Sequence, residues 1–241
     1  KQPTRDFTAP AGNAIRVGQT ADDWDEYHLT RMFSSEALDR DGLVTRTESY
    51  HYGHQIAVNA FISTPKGGEV AELARSIDLA NHVVQHDSFF MSPEWQGKGI
   101  AKDLMRSAVK QYDEAGIDRV TVLAAGQNGR YTWARFGFDF QNDASRARMR
   151  AHFEKVLARL IGQKMGADSS PESVERLKEA HAVGFARIAA AEHSWDFAGM
   201  SVPGIAEDFG KRAMIEGPEW SGWLDLKPGS EGRKVFDDYT R

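Results

Sequence analysis

The sequence predicts an α+β fold, in which strands and helices mix along the chain. Three observations carry this prediction. An apolar, strand-like run occupies residues 82–91, a glycine-bearing turn and a helical pattern from Ile100 follow it, and a second strand pattern occupies residues 119–124. Runs of branched and aromatic residues are typical of strands, whereas apolar residues three and four positions apart are typical of helices.

Length and composition place the chain among ordinary globular proteins. It has 241 residues, enough for one large domain or two small ones with a buried core. No stretch approaches the roughly 20 apolar residues that a membrane span needs. We expect no signal peptide, because no charged-then-apolar leader is visible, although the chain begins with lysine rather than methionine. The expectation is therefore a cytoplasmic protein, or a domain of a longer one, with no membrane association.

Cysteine content and charge exclude several classes of function. The chain has no cysteine, which excludes disulfides, thiolate metal sites and a cysteine nucleophile. The one histidine pair with the i, i+4 spacing of a helical metal site, His82 with His86, lies on a predicted strand, so we predict no metal. The net charge of -5 disfavours a general nucleic-acid binder. Acids are concentrated in residues 22–41, where they form a solvated face or attract a cationic amine.

Before residue 82 the pattern predicts a strand, a helix, a hairpin and a second helix. In that order they occupy residues 14–17, 20–33, 43–63 and 69–80. Thr20 or Asp22 could cap the first helix, and the hairpin turns at Gly53. The second helix is predicted because Val70, Leu73 and Ile77 lie at helical spacing.

The turn between the central strand and the next helix is a candidate anion-binding site. Gly97 and Gly99 let the backbone approach a ligand closely, and the free N–H groups of a helix N-terminus favour negative charge. Lys98 and Lys102 add positive charge beside these groups. Gly116 ends the helix as a C-cap.

The residues of this turn resemble the pyrophosphate-binding signature of the GNAT acyltransferases, which use acyl-coenzyme A. The signature is Gln or Arg, two residues, Gly, one residue, and Gly or Ala, and Gln96, Gly99 and Ala101 occupy those positions. Residues 133–138 are similar to a later motif of the family, which is an aromatic residue, two residues, an apolar residue and Gly-Phe. Both motifs occur in the family's order and spacing.

The resemblance implies the GNAT fold, a central, mixed, mostly antiparallel sheet flanked by helices. The chain then divides into a core, a helical insertion before the last strand, and a final strand with a C-terminal tail, at residues 1–141, 142–217 and 218–241. Helical patterns at 143–162, from Ser170, and near 205–214 support the insertion. Residues 222–226 would return to complete the sheet.

The resemblance also implies acetyl-CoA as the acyl donor. A bulge near the end of the central strand would let the pantetheine arm pair with that strand, which would splay from its neighbour around the thioester. Arg130 would reach the 3′-phosphate or the adenine. The candidate cofactor-binding residues are Phe89, Phe90, Met91, Gln96, Gly97, Lys98, Gly99, Ile100, Ala101, Lys102 and Arg130.

The catalytic groups depart from the family pattern. Trp133 stands where many members have a tyrosine that protonates the leaving thiolate, and indole lacks that acidity. Tyr131 lies two residues earlier on the same predicted helix, a spacing that points it in another direction. Asp87, on the central strand, could act as a base through a water molecule. Asp87 and Tyr131 are the catalytic candidates, and the alternatives are His51, His54, His82 and His86.

The predicted function is direct transfer of an acetyl group from acetyl-CoA to an amine. The acceptor stays open between a protein amine, a small molecule and an aminoacyl-tRNA; basic residues at 130–164 would favour tRNA only if they lie beside the cleft. The substituted catalytic positions motivate an alternative, a non-catalytic module that binds acyl-CoA or a partner. Residues 129–135 resemble a divergent subset found in large multidomain proteins, which keeps a toxin or effector domain as a further hypothesis.

Overall fold

The computed structural model describes Trp24 and residues 26–241. The predictions for the strand at 14–17, for the caps Thr20 and Asp22, and for the first acids therefore lie outside the described residues. The strands are β1 (Val44–Tyr52), β2 (Gln55–Ser63), β3 (Glu69–Asp78), β4 (Val83–Met91), β5 (Arg119–Ala124), β6 (Asp139–Phe140) and β7 (Trp220–Asp225). The helices are α1 (Glu26–Met32), α2 (Glu36–Arg40), α3 (Ile100–Glu114), α4 (Gly126–Arg135), α5 (Asp143–Ala167), α6 (Pro171–Ala190), α7 (Ser194–Ala198), α8 (Phe209–Glu216) and α9 (Glu231–Thr240).

The described strands form one sheet in the order β1-β2-β3-β4-β5-β7-β6. Strands β1 to β4 pair with one another in antiparallel fashion, β4 pairs with β5 in parallel, and β6 pairs with β7 in antiparallel fashion. This mixed, mostly antiparallel sheet with helices confirms the predicted fold class. Helices α5 to α8 lie between β6 and β7 in the chain, and the division into core, insertion and returning strand stays a prediction.

The chain forms two compact units. The first holds the described residues up to Val122 with Asp225–Arg233 and Asp237–Arg241, and the second holds Leu123–Leu224 with Lys234–Phe236. No helix in the described part of the chain is long and apolar enough to cross a membrane.

The core of the first unit lies between one face of the sheet and helix α3. In β2 every second residue is buried, as expected for a strand with one covered face, and these residues are Ile56, Val58, Ala60 and Ile62. Helix α3 covers this face with a stripe at helical spacing, formed by Leu104, Met105, Ala108, Val109 and Tyr112. The hairpin at Gly53 forms as predicted, with Tyr52 paired to Gln55.

The prediction of a helix at residues 69–80 is wrong, because this segment is strand β3. Its inward positions include Ala71, Leu73, Arg75 and Ile77, all of them buried. A charged residue at one inward position hides the two-residue period of a strand, and the remaining apolar residues then fit a helical period by coincidence. Burial of Arg75 is therefore the physical reason for the error.

Strand β4 carries a bulge at Asp87. On β3, Ala74 pairs with Ser88 and Arg75 pairs with His86, so Asp87 is the extra residue between two matched pairs. The parallel pairing of β4 with β5 ends at the next pair, His86 with Val122. The bulge directly follows this last pair, and β4 continues to Met91 beyond the point where its pairing with β5 ends.

The prediction of a loop or tail at residues 227–241 is also wrong, because this segment contains helix α9. Ser230 caps the helix by accepting a hydrogen bond from the Arg233 backbone N–H. The Arg233 guanidinium donates two hydrogen bonds of 2.8 Å to the two carboxylate oxygens of Asp113 on α3. This bidentate pair holds α9 on α3 within the first unit.

The second unit contains the helical hairpin that the sequence predicts. Asn142 and Ser170 cap α5 and α6 with their side chains. The third predicted helix begins later than expected, at Phe209, and helix α7 was missed. Gly210 lets α8 approach α7 closely, because a Cβ there would lie 2.3 Å from the Phe197 carbonyl oxygen.

The presence of helix α9 at residues 231–240 can be tested through its N-cap, Ser230. We expect Ser230→Ala to lower the free energy of unfolding by about 1 kcal/mol, since an N-cap hydrogen bond is lost. Ser230→Asp should stay close to the wild type because aspartate also caps. Urea denaturation of the three proteins measures the difference, and equal stabilities would show that α9 does not depend on this cap.

Candidate functional site

The glycine-bearing turn joins the end of β4 to the N-terminus of α3. A 3-10 turn occupies Pro93–Trp95, and Gly99 is the N-cap of α3. Gly97 and Gly99 have φ angles of 76° and 85°, which non-glycine residues rarely adopt. A Cβ at either position would meet nothing within 4 Å, so the space beside both glycines is open. In the first turn of α3 the Lys102 backbone N–H donates to the Gly99 carbonyl at 2.9 Å, whereas the N–H groups of Ile100 and Ala101 have no intrahelical acceptor.

Hydrogen bonds from two side chains fix this turn on the sheet. The Gln96 side-chain amide donates to the Met91 carbonyl at 2.9 Å, which closes the segment between strand and helix. Ser92 donates its hydroxyl to the Glu69 carbonyl at 3.0 Å and its backbone N–H to the Val70 carbonyl at 2.9 Å. The N-terminus of α3 is thereby held at a defined place beside the end of β4.

Two lysines flank the N-terminus of α3, and each lies over an aromatic ring. The Lys98 Nζ is 4.2 Å from the centroid of the Trp95 ring, and the Lys102 Nζ is 4.0 Å from the centroid of the Tyr239 ring. Within the described residues neither ammonium has a carboxylate within 4.0 Å. A helix N-terminus carries partial positive charge, so two cations there are unfavourable unless an anion binds between them. Asp103, the acid in this first turn, is paired with Arg106.

Phe89, Phe90 and Met91 form the end of β4 beyond the bulge. They pair with Leu73, Glu72 and Ala71 of β3 on one side. On the other side, the pairing of β4 with β5 has already ended at His86. Phe90 is 55% exposed. The three residues lie between the bulge and the turn, as the sequence predicts, and their role in cofactor binding stays a prediction.

The Asp87 carboxylate lies on the open face of the sheet. Its Oδ2 accepts a hydrogen bond of 2.7 Å from the Ser76 hydroxyl, and its Oδ1 accepts one of 2.7 Å from the Gln85 amide. Ser76 lies on the neighbouring strand β3, and Gln85 lies on β4 itself. The two bonds therefore fix the orientation of the carboxylate, which stays exposed. Such a group can accept a proton from a bound water molecule or an amine.

On the covered face, a buried cluster joins three elements, and sequence reasoning missed it. Tyr112 of α3 accepts a 2.7 Å hydrogen bond from the Arg75 Nη1, and its hydroxyl lies 2.9 Å from the His86 Nε2. The Arg75 guanidinium also packs on the Phe33 ring, at 4.5 Å from its centroid. Arg75 is only 2% exposed, and its Nη2 has no hydrogen-bond partner in the described structure. The signal in the sequence was a tyrosine on the apolar stripe of α3.

Burial sets the protonation states of this cluster. It lowers the pKa of His86 well below 6.5, and the neighbouring Arg75 cation lowers it further. It raises the pKa of Tyr112 to about 12, although Arg75 acts in the opposite direction. Burial also lowers the pKa of Arg75, which its hydrogen bond to Tyr112 partly offsets. Near neutral pH the histidine is neutral and the phenol is protonated.

The remaining candidates lie in the second unit. The Arg130 Nη2 donates to the Ile215 carbonyl at 2.7 Å, which ties α4 to the end of α8. The Tyr131 hydroxyl accepts a 3.3 Å hydrogen bond from Arg135, and Lys211 lies 5.8 Å from its ring centroid. Trp133 is a core residue whose ring packs edge-on against Phe138 at 5.0 Å. The indole at the family's tyrosine position therefore contributes to the core.

Apart from His86, the alternative histidines are His82, directly before β4, and His51 and His54, at the Gly53 hairpin. The His82 Nδ1 is 2.7 Å from the Gly116 carbonyl, and His82 has a φ of 55°, so it forms part of a tight turn. His54 lies 3.8 Å from Asp78. Among the described residues no group of three or more potential metal ligands occurs.

The protonation state of His86 predicts how stability depends on pH. The unfolded chain binds a proton at His86 near pH 6.5, whereas the folded protein does not. The free energy of unfolding should therefore fall as the pH decreases below about 6.5, by up to about 1.4 kcal/mol per pH unit.

His86→Gln should lose this part of the slope and keep the smaller part due to His152, whose pKa burial also lowers. Urea denaturation between pH 5 and pH 7.5 measures both slopes. Parallel curves for the wild type and His86→Gln would contradict the assignment of a neutral, buried histidine.

The sequence profile of the acetyltransferase (GNAT) family matches residues 22–138. No curated protein matches the chain. A structure of nourseothricin acetyltransferase is 14% identical, with 45% of this chain and 82% of that chain covered and a TM-score of 0.31. Mutant forms of the spermidine/spermine N-acetyltransferase from Vibrio cholerae are 16% identical, with 36% of this chain and 52% of that chain covered and a TM-score of 0.30.

The profile match begins before α1 and ends at the Gly-Phe motif. It contains the turn with Gln96, Gly99 and Ala101, strand β4 with its bulge, and the end of the pairing between β4 and β5. The resemblance seen in the sequence is thereby confirmed. Residues 22–138 therefore match the acetyltransferase (GNAT) family.

Proposed function

We propose that the chain uses acetyl-CoA to acetylate an amine by direct transfer. The observation that supports this most strongly is the pair of lysines at the N-terminus of α3. Lys98 and Lys102 lie where the helix dipole disfavours cations, and the glycine turn between them exposes backbone N–H groups. A pyrophosphate supplies the negative charge that makes this arrangement favourable.

The proposed cofactor position follows from the turn and from β4. The backbone N–H groups of residues 97–101 would bind the pyrophosphate, and the two ammonium groups would approach its oxygens. The pantetheine arm would extend along the edge of β4 at Phe89, Phe90 and Met91, where pairing with β5 has ended. Gln96 acts indirectly, because its side-chain amide bonds to the Met91 carbonyl and shapes the turn.

In the proposed reaction the amine nitrogen attacks the carbonyl carbon of the thioester. A C–N bond forms, the C–S bond breaks, the amine loses a proton, and the thiolate takes one up to give coenzyme A. Asp87 would receive the amine proton through a water molecule, because Ser76 and Gln85 hold its carboxylate on the open face of the sheet. Tyr131 stays a candidate for the acid that protonates the thiolate.

The open sheet face suits an acceptor that is itself a cation. A hollow of about 380 Å³ lies there, and its lining includes Tyr52, Ser76, Asp78 and Gln85. A carboxylate and an aromatic ring are the groups that attract an alkylammonium ion. A larger hollow of about 710 Å³ lies between α5 and α6 in the second unit, but no candidate residue lines it. We therefore favour a cationic amine over tRNA as the acceptor.

Replacement of both lysines tests the cofactor position. We expect Lys98→Gln combined with Lys102→Gln to weaken coenzyme A binding at least tenfold, and to reduce the effect of salt on the dissociation constant. Lys66→Gln is the matched control, since Lys66 is an exposed lysine in the turn between β2 and β3. Isothermal titration calorimetry at two salt concentrations measures both effects. A double variant within twofold of the wild type would place the pyrophosphate elsewhere.

Replacement of Asp87 tests the proposed base. Asp87→Asn should lower kcat about a hundredfold and leave coenzyme A affinity unchanged, since asparagine keeps the shape but accepts no proton. Glu48→Gln is the control, because Glu48 is a carboxylate on β1 at the same face of the sheet. Steady-state assays of thiol release give kcat for both variants. If Asp87→Asn keeps kcat within twofold of the wild type, another group is the base.

A non-catalytic module is the second candidate, because the family's tyrosine position holds a buried indole. Thiol release from acetyl-CoA with a panel of amines separates the two functions. The panel should contain polyamines, peptides with lysine side chains and aminoacyl-tRNA. Release that depends on one of these classes supports the enzyme. No thiol release with any class of amine, together with measurable coenzyme A binding, supports the non-catalytic module.

A further inference from the structure

Arg75, Tyr112 and His86 connect the two parts of the chain to which the two halves of coenzyme A would bind. Tyr112 belongs to α3, whose N-terminus would hold the pyrophosphate. His86 is the last residue of β4 that pairs with both neighbouring strands, and the segment beyond it would hold the pantetheine arm. The Tyr112 hydroxyl lies within hydrogen-bond distance of His86 and of Arg75 on β3.

We propose that Arg75, Tyr112 and His86 are positioning residues that set the distance and angle between the pyrophosphate site and the pantetheine site. The proposal rests on the proposed function, since it concerns the same cofactor. It assigns a role to a buried cluster that touches no substrate. These residues would act only by fixing where β4 departs from β5 relative to the start of α3.

The geometry of the segment between His86 and Tyr112 supports this role. From His86 to Met91 the strand extends about 17 Å, at roughly 3.3 Å per residue. From Ile100 to Tyr112 the helix returns about 18 Å, at 1.5 Å per residue. The two lengths match, so the cluster closes the base of a strand–turn–helix unit whose tip is the glycine turn. Gln96 closes the same unit at its tip through the Met91 carbonyl.

The composition of the cluster favours positioning over simple stabilisation. Arg75 is a buried cation without a carboxylate within 4.0 Å in the described structure, and its Nη2 is buried without a partner. Burying such a group is costly, and apolar residues of similar volume would pack here at less cost. What the polar groups add is direction, because hydrogen bonds fix the register of three elements where apolar contacts would allow several. The bulge at Asp87 follows directly after the pair that these bonds hold.

Tyr112→Phe isolates the hydrogen bonds, because it removes the hydroxyl and keeps the ring. Two dissociation constants are measured by calorimetry, one for coenzyme A and one for its nucleotide half, 3′-phosphoadenosine 5′-diphosphate. Their ratio reports the contribution of the pantetheine arm alone. We expect the variant to bind the nucleotide half within twofold of the wild type and coenzyme A at least fivefold more weakly.

Further variants separate positioning from a loss of stability. Ile62→Val loses a buried methylene group in β2 and should leave both constants unchanged. His86→Leu removes the bond between His86 and Tyr112 and keeps the one between Arg75 and Tyr112. It should weaken coenzyme A binding in the same direction, so it carries the test if Tyr112→Phe does not fold. His86→Gln can still bond to the hydroxyl and should restore part of the lost affinity.

Each outcome decides the proposal. If Tyr112→Phe and His86→Leu weaken both ligands equally, or neither, the cluster is structural only and the proposal is overturned. The proposed function survives in that case, because the wild type still binds coenzyme A. If the wild type binds neither ligand, the proposed function and this inference fail together.

Discussion

A single hydroxyl group, that of Tyr112, links α3 to two strands of the sheet in the first unit. It accepts a hydrogen bond from a buried arginine on β3 and contacts a buried histidine on β4. The N-terminus of α3 therefore has a defined position relative to the end of β4. The candidate cofactor site consists of these two chain segments, and the Tyr112 contact joins them at the end opposite the glycine turn.

Several residues around this site depart from the usual preferences of helices and strands. Two lysines stand at the positive end of a helix, an arginine occupies an inward position of a strand, and the strand that follows carries a bulge. Each feature is unfavourable alone, and such conflicts between local and global preference tend to mark functional sites. Here the lysines and the bulged strand lie along the path proposed for coenzyme A, and Arg75 belongs to the buried cluster that joins the strand to α3.

The sequence predicts the strand–turn–helix unit well because its signals are local. Glycines with positive φ, a helix with an apolar stripe and a strand of branched residues are each visible within about ten residues. Strand β3 was missed because the inward Arg75 is stabilised by Phe33 and Tyr112, which are distant in the chain. Helix α9 was missed because only one large apolar residue, Phe236, lies on its buried face, together with Gly232 and Thr240. These three residues do not form an apolar stripe that the sequence pattern would reveal. The catalytic groups depend on contacts between distant segments, and they stay predictions.

The central claim is that coenzyme A binds at the N-terminus of α3, with its pantetheine arm beside β4. A crystal structure of the protein with bound coenzyme A tests it most directly. The claim predicts pyrophosphate oxygens within hydrogen-bond distance of the backbone N–H groups between Gly97 and Lys102, and a pantetheine arm along Phe89 to Met91. A pyrophosphate bound at any other helix or loop would contradict it.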